Sequence, residues 1–181
     1  MRTVAISARR WLISTWIASG VRPLAAPPLA RATFSPAMIS GAALLYVCLH
    51  GLPNQPFWYG SDWSTAIGAD QVRAADLEGA IVYLAGCYGQ GPMTDALLAA
   101  GAAAVAGDTD GTWAGWVLPT GSNALGRAFV AELRRGLDVE VALDVAKAEY
   151  AWRHAGPRHA ALLSSVGLAG NPVATLRRGV A

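Results

Sequence analysis

Three short apolar runs constrain this 181-residue chain more than any other feature: LLYVCL at 44–49, AIVYLA at 80–85 and AAAVA at 102–106. None alternates polar with apolar residues, as a strand with one wet face would. Continuous runs of this length fit strands buried on both faces, which is what a parallel sheet covered by helices produces. About 30 residues separate the first two runs and about 16 the next two, enough in each case for a crossover. The pattern implies an α/β fold. In the second half Leu125, Phe129, Val130, Leu133 and Leu137 recur at helical spacing, with Arg127, Arg134 and Arg135 outside and Gly136 at the end. A second helix is expected over about 139–152. Asp138 can cap its start, and Arg153 and His154 suit its last turn. The stretch 51–60, rich in Pro and Gly and carrying Phe57, Trp58 and Tyr59, reads as a loop after the first strand.

Composition narrows the class. Apolar residues make up 54% of the chain and charged residues 14%, against roughly 25% charged in an average soluble domain. That excludes a disordered chain. Fourteen basic residues against twelve acidic ones give a net charge of +2, with Lys147 the single lysine. No dense basic stripe stands out, so no nucleic-acid partner is expected. Cys48 and Cys87 make neither a disulfide framework nor a zinc spacing, so no metal is expected. The apolar stretches fall short of the 18 or more residues that a membrane span needs.

Residues 1–32 read as an amino-terminal extension: Arg9-Arg10, an apolar run over 11–21, then a Pro- and Ala-rich stretch. That order imitates an export signal, although Ser14, Thr15 and Ser19 interrupt the run and Arg22 and Arg31 add charge where a signal carries none. A surface helix with a Pro-rich linker, or the remains of an earlier part of a larger domain, are the other readings. The domain itself is expected over 33–181. Its expected location is cytoplasmic, or exported if residues 1–32 act as a signal.

In an open parallel sheet, ligands bind beyond the carboxyl ends of the strands. His50 directly follows the first apolar run and precedes Gly51. Cys87 follows the second run and Gly86, and precedes Tyr88-Gly89. If the two strands are neighbours or next neighbours, an imidazole and a thiol face one crevice. A thiol nucleophile needs that arrangement, because the imidazole accepts its proton or stabilises the thiolate. Glycine lets backbone approach a substrate closely, and the Gly51 and Cys87 amides could converge on the oxygen of a tetrahedral intermediate. Cys48 reads as a buried residue of its strand. Asp108 and Asp110, after the third run, could hold an Arg or Lys side chain of a substrate; a solvated turn is the plainer reading. Trp113, Trp116, Phe57, Trp58, Tyr59 and Trp63 could wall the cleft or pack in the core.

These residues resemble the caspase-like cysteine peptidases, in the branch that contains bacterial CHAT domains and gingipain-type peptidases. The resemblance runs from about residue 35 to 177. It comprises LYVCLHG (45–51), IVYLAGCYGQG (81–91), DALLAAGAAAVAG (95–107), the helix ends AELRRG and VALDVAKAEY, and a closing LAGNP (168–172). It implies a three-layer fold with a mostly parallel central sheet flanked by helices. It also implies a catalytic dyad of His50 and Cys87, an oxyanion hole from the Gly51 and Cys87 amides, and hydrolysis of peptide or protein substrates through an acyl-enzyme. No cofactor is implied. Ala85 stands where basic-specific relatives carry an acid, and Asn171 where relatives usually carry Asp. Fewer than 45 residues precede the His strand, so a sheet truncated at its amino-terminal side, or completed by a partner protein, is expected. Two rivals follow. One is an inactive caspase-like interaction module. The other is an α/β-hydrolase-type esterase with Ala85–Gly89 as its elbow and Asp144 with His154 or His159 completing a triad. The 37 residues between His50 and Cys87 are too few for that second fold.

Overall fold

The structure, a computed structural model, describes residues 1–176. The chain runs through β1 (Thr3–Ala8), α1 (Leu12–Ser19), β2 (Leu24–Ala26), β3 (Leu44–Cys48), β4 (Phe57–Tyr59), β5 (Thr65–Gly68) and α2 (Ala69–Arg73). It continues through β6 (Ile81–Leu84), α3 (Pro92–Ala99), β7 (Ala104–Asp108), α4 (Ser122–Arg135), α5 (Val139–Arg153), α6 (Pro157–Ser165) and β8 (Val166–Gly170). Six strands form one sheet in the order β2-β1-β3-β6-β7-β8, and β4 pairs with β5 in a separate two-stranded ribbon. The first five strands of the large sheet are parallel; β8 runs antiparallel to β7.

The unbroken apolar runs follow from burial on both faces. Along β3, Leu45 and Val47 (with Leu49 just beyond) join one core cluster with Val82, Leu84 and Val105, under α2 and α3. Leu44, Tyr46 and Cys48 join the other, with Tyr83, Phe129 and Leu133, under α1, α4, α5 and α6. Each large apolar side chain so buried contributes roughly 1.5–3 kcal/mol. The polar atoms on the second face are paired across elements. The Tyr46 hydroxyl donates to Asn123 Oδ1 at 2.8 Å, and Asn123 Nδ2 donates to Ser14 Oγ at 2.8 Å. The Tyr83 hydroxyl donates to the Ser122 carbonyl at 2.9 Å. The helices expected in the second half are both present. Gly136 ends α4 in the left-handed region, and the Asp138 side chain accepts the Val141 amide at 2.9 Å at the start of α5.

Two expectations are corrected. Residues 1–32 are not set apart from the domain, because β1 lies inside the sheet with Thr3–Ser7 in register with Leu44–Cys48, and α1 packs on α4. The signal-like order is that of a buried strand, a two-arginine turn and a helix that turns Ser14, Thr15, Ala18 and Ser19 inward and leaves Ile13, Trp16 and Ile17 exposed. The sheet therefore continues past β3 through β1 and β2 rather than stopping there. The stretch 51–60 is not wholly a loop: β4 pairs with β5, and the main chains of His50 and Tyr59 exchange two hydrogen bonds of 3.0 and 2.9 Å. Of the expected domain, residues 177–181 lie outside the described residues.

Candidate active site

β3 and β6 are direct neighbours, and the register pairs Val47 with Leu84. His50 and Cys87 each lie three residues past that pair, so both emerge at the carboxyl edge of the sheet side by side. Two glycines make this approach possible. A Cβ on Gly51 would stand 2.0 Å from the Cys87 carbonyl oxygen, and one on Gly86 would stand 2.2 Å from the Leu49 carbonyl oxygen. The sequence reading gives these glycines to a substrate; in the structure they let the two strand ends cross each other. Among the described residues neither the Gly51 nor the Cys87 amide donates a hydrogen bond, so both stand free at this crossing.

His50 and Cys87 line one small cleft with Trp11, Leu49, Ala85, Gly86, Thr112, Trp113 and Ala114. The walls leave about 10 Å³ for the centre of a water molecule, which is room for roughly one water. Cys87 Sγ lies 3.3 Å from both the carbonyl oxygen and the amide nitrogen of Thr112, donating to the first and accepting from the second. Among the described residues no hydrogen bond joins it to the imidazole, and His50 Nε2 is buried without a partner. Catalytic hydrogen bonds often close only in a substrate complex. The His50 imidazole is held below its ordinary pKa of 6.5, first by burial and then by the Arg10 guanidinium. It is therefore neutral at neutral pH, the form that accepts a proton. Cys48 is inert by contrast: it is buried within β3, and burial pushes its thiol up to about 12.

Loops after β6 and β7 hold this edge together. The Tyr88 amide donates to the Asp110 carbonyl at 2.9 Å and the Gln90 amide to the Asp108 carbonyl at 3.0 Å. Tyr88, next to Cys87, has a left-handed φ of 51°, a conformation that clusters at functional turns. Trp113 is among the residues that line the cleft, with the Arg158 guanidinium 4.0 Å above its ring. Trp63 stacks on His50 at 4.3 Å between ring centroids. Trp58 is buried in the core, and Trp116 is 65% exposed.

Asp108 does not stand in the cleft. It is fully buried, with Oδ1 accepting from the Ser165 hydroxyl at 2.6 Å and Oδ2 from Ser122 at 3.3 Å. Its carboxylate is thus satisfied internally and closed to a substrate side chain. Asp110 is exposed and accepts the Gly111 amide at 2.7 Å. The triad of an esterase is not assembled either: His159 Nδ1 pairs with the Tyr150 hydroxyl at 2.8 Å, and Asp144 is an exposed residue of α5. Two wall residues, Trp11 and Thr112, escape a sequence reading. Trp11 sits in the run that resembles a signal, and Thr112 acts through its backbone.

No protein-family model matches the chain, and no curated protein matches it significantly. Solved structures do. The crystal structure of the Arg-specific cysteine proteinase gingipain R (RgpB) aligns with a TM-score of 0.67 at 12% identity, covering 97% of this chain and 47% of that one. A complex of Porphyromonas gingivalis RgpB pro- and mature domains aligns with a TM-score of 0.66 at 12% identity, covering 97% and 48%. The chain thus spans about half the length of these structures. Its mostly parallel six-stranded sheet, flanked by helices on both faces, is a caspase-like fold.

Proposed function

We propose that the chain is a caspase-like cysteine endopeptidase in which Cys87 is the nucleophile and His50 the general base and acid. The observation that carries this reading is the pairing of adjacent strand ends. A neutral imidazole and a thiol, equidistant from one register pair, line one cleft beside two undonated amides. His50 takes the Cys87 proton as sulfur attacks the peptide carbonyl, and the Gly51 and Cys87 amides receive the oxyanion. Imidazolium then protonates the leaving amine. Water, deprotonated by the same imidazole, hydrolyses the thioester and releases the acid. Loss of one oxyanion donor typically slows such a reaction about 100- to 1000-fold. Trp113 walls the substrate side. Asp110 remains the acid available to a basic residue, and Asp110→Asn is expected to lower labelling by an Arg probe relative to a Leu probe. Affiliation with the CHAT-type branch rests on the order of the sequence motifs.

Incubation with acyloxymethyl-ketone peptides ending in Arg, Lys, Asp or Leu tests the reading. Mass spectrometry is expected to find the adduct on Cys87, and none in Cys87→Ala or His50→Ala. An adduct that forms equally well in His50→Ala would overturn the dyad. A second reading, an inactive interaction module of the same fold, is favoured by one observation: the thiol is engaged by Thr112 and the cleft admits roughly one water. Folded protein that labels with no probe would select it.

A further inference from the structure

We propose that Trp63 and Trp11 clamp the His50 imidazole and position it, as a hydrogen-bonded carboxylate positions the base of a triad; the inference rests on the dyad reading above. The imidazole is the ring that the two indoles share. Trp63 stacks on it with centroids 4.3 Å apart and planes at 22°, and Trp11 lies 4.6 Å away at 55°. Among the described residues no side chain hydrogen-bonds to His50, and its buried Nε2 has no partner. Packing is therefore what fixes the ring.

The β4–β5 ribbon is built to deliver this contact. Its first strand is tied to the His50 main chain through Tyr59, and its turn returns Trp63 over the ring. Trp63 sits there at a φ of 63°, in the left-handed region. Local preference puts Gly or Asn at such a position, and a bulky residue costs roughly 1–2 kcal/mol. The indole is also 54% exposed. It gains little from core burial, and its close ring neighbours are His50 and, at 6.3 Å, Tyr59.

Two consequences follow for the base. Covered faces restrict its rotation, which holds the ring in one orientation at the edge of the cleft it shares with Cys87. The indoles also exclude water, which disfavours imidazolium. The charged and titratable groups around it are Arg10 from the turn after β1 and Cys87 from the loop after β6.

Trp63→Gly removes the ring while suiting the backbone conformation, so folding is not at risk; Trp63→Phe keeps a stacking face. The readouts are the ring-proton NMR titration of His50 and the inactivation of Cys87 by the peptidyl probe that labels it best. In Trp63→Gly the His50 resonances are expected to lose their ring-current shift and to titrate closer to 6.5, the maximal inactivation rate to fall about tenfold, and KI to change less than about twofold. Trp63→Phe is expected to stay within about threefold of the wild type. A Trp63→Gly variant with wild-type rate and titration, while His50→Ala is slow, would overturn the clamp alone. Equal rates for the wild type and His50→Ala would overturn the dyad reading and the clamp with it.

Discussion

Burial sets the protonation of Asp108. Enclosed at the carboxyl end of β7, its carboxyl is pushed up to about 6 by burial, against hydrogen bonds from Ser165 and Ser122 that favour the anion. An unfolded aspartate ionises near 3.9, so between about pH 4 and 6 the folded chain binds the extra proton. Stability therefore falls as pH rises through that window and is greatest below it, by on the order of 2–3 kcal/mol. Between pH 7 and pH 5 the wild type is expected to gain melting temperature relative to Asp108→Asn, in which the opposing contribution of the depressed His50 remains; identical pH slopes in the two would refute the assignment. The sequence shows the acid after an apolar run but not the serines that enclose it. Ser122 and Ser165 are 14 and 57 residues away, and only the packing of α4 and the end of α6 brings them to the carboxylate.

Strand ends carry the same lesson among elements. Gly51→Ala and Gly86→Ala each drive a methyl into a carbonyl oxygen of the opposing strand end, and backbone cannot yield as a side chain can. Each is expected to lower the unfolding free energy by about 2–4 kcal/mol, read from denaturant titration, with labelling of Cys87 reduced further than stability explains. β3 and β6 were legible because two buried faces leave no polar residue in the run, and α5 because Asp138 caps it. β1 was not, because TVAISA includes Ser7, whose hydroxyl is satisfied by Thr15 at 3.0 Å in the following helix. The β4–β5 ribbon was hidden by strands of three and four residues whose pairing depends on His50. β8 was hidden too: VGLAG has little β-propensity and is held by its partner β7.

For the whole molecule, the order of strands makes the amino-terminal segment part of one cooperative unit. Removing residues 1–26 strips β1 and β2 and leaves the apolar β3 as an open edge. The expected result is a chain without a sharp unfolding transition that binds a hydrophobic dye, read by calorimetry and fluorescence; a cooperative transition in the shortened chain would show that β1 is dispensable. The class of the fold was legible from three runs, whereas its extent was not, because nothing local distinguishes a signal from a strand followed by a helix. The reversed direction of β8 has a further consequence. Since β1 enters at the amino edge of the sheet and Gly170 pairs with Ala104 at that same edge, the polypeptide both enters and leaves this sheet on the side away from Cys87.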